Sequence, residues 1–127
     1  MIDDELKPDV AVTKVRTALE RDRCDFIVGV VFSNILQAII RPVTEANTFL
    51  ISTNAGPSTY AGRGCNPFFF TTSYNNDQVH SVIGQVCEDQ GYKRVFVMVP
   101  NYQAGRDAVA GFKSRFKGEV VDEVYVP

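Results

Sequence analysis

The sequence predicts an α/β protein with mostly parallel, doubly wound sheets. Three observations predict it. Short β-branched apolar runs recur along the chain, each too short for a helix. Helical patterns of spaced apolar residues separate them, so strands and helices alternate as in βαβ units. The composition, 127 residues with 45% apolar and 22% charged side chains, is that of one globular domain.

Each element has a local reason. Residues 9–21 read as a helix: Pro8 suits its start, Asp9 favours the positive end of the dipole, and Val12, Val15 and Leu19 recur at helical spacing. Phe26-Ile27-Val28-Gly29-Val30-Val31 reads as a strand buried on both faces. Ser33 is placed to cap the next helix, which carries Ile35, Leu36, Ile39, Ile40 and Val43, and which Pro42 should kink or shorten. Phe49-Leu50-Ile51-Ser52 is a second buried strand. Residues 53–67, broken by Gly56, Pro57, Gly62, Gly64 and Pro67, form a long loop of the kind that often carries function. Phe68 to Thr72 reads as a strand. Asn75, Asn76 and Asp77 offer caps for a helix with Val79, Val82, Ile83, Val86 and Cys87 on one face, and Gly91 ends it. Arg94 to Val99 is another buried strand. Gly105 to Phe116 is a helix with Ala108, Val109, Phe112 and Phe116 inward, and Glu119 to Val126 is the last strand.

Charge and side-chain inventory exclude several functions. The 13 basic and 15 acidic residues leave a net charge of −2, which argues against nucleic acid as a partner and against an electrostatic membrane anchor. No apolar run reaches the roughly 20 residues of a spanning helix. The start, Met1-Ile2-Asp3-Asp4-Glu5, has neither the basic nor the apolar part of a signal peptide. Cys24, Cys65 and Cys87 are far apart with no CxxC spacing, so no metal site is expected. Cys87 reads as a buried thiol, and Cys65 as a candidate half of a disulfide. His80, the only histidine, reads as a surface residue.

In open α/β sheets, ligands bind at the carboxyl ends of strands. Three segments fall there: Val31-Phe32-Ser33-Asn34, Ser52-Thr53-Asn54-Ala55-Gly56-Pro57, and Pro100-Asn101-Tyr102-Gln103-Ala104-Gly105. They are rich in hydroxyls, amides and rings, yet none contains Asp, Glu, Lys, His or Cys. Acid–base and nucleophilic catalysis need such a group, so no catalytic residue and no cofactor is expected. Gly62-Arg63-Gly64 precedes a strand and lacks the context of a dinucleotide fingerprint. The segments suit a small molecule held by hydrogen bonds, helix-start N–H groups and stacking.

These segments, together with Asp3-Asp4-Glu5-Leu6-Lys7-Pro8-Asp9 and Gly64-Cys65-Asn66-Pro67-Phe68-Phe69-Phe70-Thr71, resemble the type I periplasmic solute-binding proteins of ABC importers, in the leucine/isoleucine/valine-binding branch. The resemblance implies the type I periplasmic-binding-protein fold: two α/β lobes, a ligand in the cleft, and a hinge. It implies residues 1–72 in the N-terminal lobe, a crossing at 73–76, and the first part of the C-terminal lobe at 77–127. It implies ligand contacts from Phe32, Ser33, Asn54, Ala55, Gly56, Tyr102 and Ala104. Amino-acid binders usually place Ser or Thr where this chain has Gly56, and tyrosine where it has Ala104. Both departures weaken the case for a standard branched-chain amino acid, so the expected ligand is a small carboxylate-bearing molecule that need not be one: a branched-chain amino acid, or an aromatic or other organic acid. Permease subunits of an ABC transporter are the implied partners and the periplasm, or a lipid-anchored extracytoplasmic position, the implied location. The alternative is a sensing or regulatory domain of the same fold without transport. Family members begin before Met1 and run well past Pro127, so the fold is expected to be incomplete in this chain. A truncated or proteolysed piece is one expectation, and a homodimer or strand-exchanged assembly that completes the sheets is the other.

Overall fold

A computed structural model describes all 127 residues, and the chain divides into two compact units, Met1–Ser73 and Tyr74–Pro127. The first unit contains α1 (Pro8–Glu20), β1 (Phe26–Gly29), α2 (Ser33–Glu45), β2 (Phe49–Ser52), a 3-10 turn (Ser58–Ala61) and β3 (Phe69–Thr71). The second contains α3 (Asn76–Asp89), β4 (Arg94–Pro100), α4 (Gln103–Arg115) and β5 (Glu119–Val126).

Every strand pair is parallel. The first unit has a three-stranded sheet in the order β1-β2-β3, with Ile27, Leu50 and Phe69 in register. Parallel neighbours need a crossover, and α2 supplies the one between β1 and β2. The second unit has a two-stranded sheet, β4-β5, with α4 as its crossover. A register shift between Val95 and Phe96 leaves Val121 as an extra residue on β5.

The core of the first unit lies on one sheet face. Ala11 and Val15 of α1, Ile35, Leu36, Ile39, Ile40 and Val43 of α2, and Leu50 and Ala55 form one buried cluster, with Ile27, Phe69 and Tyr60 packed against it. The opposite face is aromatic and bare. Phe26 stacks on Phe49 at 5.4 Å between ring centroids, and Phe70 lies 6.1 Å from Phe49. Phe26 is 57% exposed and Val28 62%. The sequence reading of a strand buried on both faces therefore fails for β1: helices cover one face only, and β1 is the edge of its sheet.

In the second unit α3 and α4 pack at backbone contact. A Cβ on Gly84 would overlap the Phe112 carbonyl, and one on Gly111 would overlap the Asp77 carbonyl. Helix α3 ends as its sequence predicts, with Gly91 at φ 74° after the Gln90 cap. Its apolar face has a different fate. Val79, Val82, Ile83 and Val86 are exposed, because Gly84 marks the side turned to α4 and nothing covers the other. Strand β4 likewise exposes Phe96 and Met98. Pro42 is accommodated inside α2, which runs on to Glu45. No disulfide joins Cys24, Cys65 and Cys87 to one another, and Cys87 is only half-buried.

Candidate functional site

In the first unit, the strand ends and the loops after them are stitched into one ledge. The chain leaves β1 through Gly29 at φ 130° and Val30 at φ 76°. Thr53 N–H donates to the Gly29 carbonyl at 3.1 Å, and Ala55 N–H to the Val30 carbonyl at 3.2 Å. Asn54 Nδ2 donates to the Val31 carbonyl at 2.9 Å. The loop after β2 closes on itself as well, since the buried Ser52 hydroxyl donates to the Ala55 carbonyl at 2.6 Å.

The left-handed turn delivers the chain to the start of α2. Phe32, not Ser33, is the N-cap residue, with extended backbone, and Ser33 occupies the first helical position. The sequence reading of Ser33 as a cap is therefore corrected by one residue. Ser33 is 2% exposed and Phe32 half-buried against the core. A helix start turns N–H donors and the positive end of its dipole outward, a ready site for an anionic group. Of the residues expected after β2, Asn54 is exposed, Ala55 is in the core and offers only backbone, and Gly56 is buried. Further along that loop, burial pushes the Tyr60 hydroxyl above its ordinary range.

In the second unit, the loop after β4 folds back on the strand end. Asn101 N–H donates to the Val126 carbonyl at 2.6 Å, and Tyr102 N–H to the Pro100 carbonyl at 2.9 Å. Tyr102 caps α4 with extended backbone. Gly105 meets the Pro100 carbonyl so closely that any side chain there would displace the helix start. Tyr102 and Ala104 are half-buried, and Arg106 bonds Asn101 Oδ1 at 3.2 Å. Phe32, Ser33, Asn54, Ala55 and Gly56 thus gather at one end of the first sheet, and Tyr102 and Ala104 at the carboxyl end of β4.

Sequence reasoning missed Asp107. It is a buried carboxylate bonded by Gln103 Nε2 at 2.8 Å and Asn76 Nδ2 at 3.0 Å. Its signal was an acidic residue beside Ala108 and Val109, on the face that the helical period turns inward. His80 is half-buried and its Nδ1 is 2.8 Å from the Asn76 carbonyl, one turn earlier in α3.

Each unit thus presents a loop of hydroxyl, amide and backbone groups at the carboxyl ends of parallel strands, the place where open α/β sheets hold small solutes. Residues 1–127 match the periplasmic binding protein family along their whole length, and the chain belongs to that family, one of solute-binding proteins and not of enzymes. It is 27% identical over 110 residues to a Leu/Ile/Val-binding protein homologue of Brucella abortus, covering 84% of this chain and 28% of that one. It is 30% identical to the solute-binding protein of an ABC transporter from R. palustris in complex with benzoate, with a TM-score of 0.92 over 98% of this chain and 36% of that one. A similar protein from Rhodopseudomonas palustris BisB5, in complex with 3,4-dihydroxybenzoic acid, is also 30% identical, with a TM-score of 0.90 over 98% of this chain and 35% of that one. A branched-chain amino acid transporter substrate-binding protein from Streptococcus pneumoniae, in complex with isoleucine, shares the fold at 22% identity and a TM-score of 0.82, over 98% of this chain and 36% of that one. The chain spans about a third of the length of these relatives.

Proposed function

We propose that the intact protein is an extracytoplasmic solute-binding protein that delivers a small carboxylate-bearing ligand to the permease subunits of an ABC transporter. The observation that carries this reading is the start of α2, where a left-handed turn held by the loop after β2 sets Phe32 and Ser33 at a helix N-terminus. That arrangement suits a carboxylate, and it is formed without any cationic side chain in the three loop segments. In this reading Phe32 offers a ring, Ser33 and Asn54 polar groups, and Ala55 and Gly56 backbone. Tyr102 and Ala104 supply further contacts from the second unit, and residues 1–72 and 77–127 belong to different lobes joined at 73–76.

An aromatic acid is the favoured ligand. Gly56 and Ala104 carry no side chain able to grip an ammonium group, while Phe32 and Tyr102 offer rings. The relatives bound to benzoate and dihydroxybenzoate support this at 30% identity. A thermal-shift screen of the intact protein with benzoate, 4-hydroxybenzoate, leucine and isoleucine tests it. Ligand at about 100 times its Kd stabilises by about 2.7 kcal/mol, so binding reads as a clear rise in Tm. A rise with the aromatic acids alone is expected. A rise with leucine or isoleucine and none with the aromatic acids refutes the choice of ligand, and no rise with any of the four removes the carboxylate reading.

A further inference from the structure

We infer that Asp107 is a positioning residue that locks the first turn of α4, and with it the loop Asn101–Tyr102 before it, to the start of α3, and so sets how that segment meets its ligand; this rests on the binding function proposed above. Asp107 is 8% exposed and is the one charged side chain among the buried polar residues. A buried carboxylate is costly unless its oxygens are bonded, and here each oxygen has its own amide donor. Oδ1 accepts from Gln103, the first residue of α4, which lies between Tyr102 and Ala104. Oδ2 accepts from Asn76, the first residue of α3. A single cap would need one acceptor. A carboxylate with a different element on each oxygen is a brace.

The surroundings make the brace stiff. One turn after Asp107, Gly111 lies against the backbone of Asp77, so the two helix starts cannot approach more closely. Asn75 N–H donates to Gln78 Oε1 at 3.0 Å, which fixes the first turn of α3. The negative charge of Asp107 also lies at the positive end of the α3 dipole. Asn76 follows directly on the segment where the two units join, at Ser73–Tyr74. The backbone entering the second unit is therefore tied through one side chain to the segment that carries Tyr102 and Ala104.

The test is Asp107→Asn in the intact protein. Asparagine keeps the size but turns an NH2 group toward one of the two amide donors. Two readouts are taken: titration calorimetry with benzoate and with isoleucine, and amide hydrogen exchange at Tyr102 and Arg106. Binding of the probe that the unsubstituted protein takes should weaken on the order of 10-fold, with faster exchange at both amides. The pair Asn76→Asp with Asp107→Asn rebuilds the bond with donor and acceptor exchanged, and should restore both readouts. Gln103→Leu, which cuts only the α4 arm, gives the same readouts where Asp107→Asn does not fold. Unchanged binding and exchange in Asp107→Asn, or a pair that restores neither, overturns the inference while leaving the proposed function standing. If the unsubstituted protein binds neither probe, hydrogen exchange alone decides the role of Asp107, and the proposed function is judged by the four-ligand screen.

Discussion

Val30 is the most strained residue near the site. It is β-branched, with φ 76°, where its Cβ crowds the backbone at a cost of about 1–2 kcal/mol. The Ala55 N–H on its carbonyl and the Asn54 amide on the next carbonyl hold it there. Strain of this kind persists only where neighbours over-determine it, as at ligand clamps. Glycine removes the strain but adds about 0.5–1 kcal/mol of chain entropy to lose on folding. Val30 also packs against the core, so its removal gives up burial as well. Val30→Gly is therefore expected to leave stability within about 1 kcal/mol, measured as a shift of the denaturation midpoint, where a valine-to-glycine change in ordinary strand geometry would cost more. A larger loss of stability would show that the Val30 side chain contributes more packing than the turn costs. None of this was legible from the sequence, where Val30 reads as one more strand residue. Its conformation is set by bonds to residues some 25 positions away.

At the scale of the element, α3 and α4 show what a small residue can fix. Gly84 and Gly111 each lie where a Cβ would overlap the backbone of the facing helix. Inserting a methyl group into such a contact forces the helices apart, at a typical cost of about 1–3 kcal/mol. Gly84→Ala and Gly111→Ala should each destabilise by that order, and Gly62→Ala, where a Cβ meets nothing within 4 Å, should not. Equal melting of all three variants would contradict the close helix contact. The helices themselves were legible: Pro8, Gly91 and the apolar spacing mark their bounds to within about two residues. Which face of α3 meets α4 was not. The period points to Val79, Val82, Ile83 and Val86, whereas the contact runs through Gly84, since van der Waals approach of two backbones needs the absence of a side chain. The same limit hid Asp107, whose partner Asn76 is 31 positions away.

For the whole molecule, the decisive fact is apolar surface. Parallel sheets are normally covered on both faces. Here Phe26, Val28 and Phe70 leave one face of the first sheet open, and Phe96, Met98, Val82 and Val86 are open in the second unit. The chain spans about a third of its relatives, and exposed apolar faces of this kind associate. The 127-residue chain, taken alone, is expected to associate through these faces. Light scattering should give a mass above that of one chain, and Phe26→Ser with Phe70→Ser should lower it. A monodisperse monomer that binds no hydrophobic dye would rule out this association.

The sequence by itself determined the element order, the parallel α/β class and the three strand-end loops, because these rest on local period, turn chemistry and spacing along the chain; the family was carried by resemblance of whole segments. Tertiary structure alone decided which faces are covered, the left-handed turn at Val30, the glycine contact between α3 and α4, and the Asp107 brace. Each of those depends on atoms brought together from distant positions. A one-dimensional pattern records that a residue is apolar, small or acidic, but not what stands opposite it.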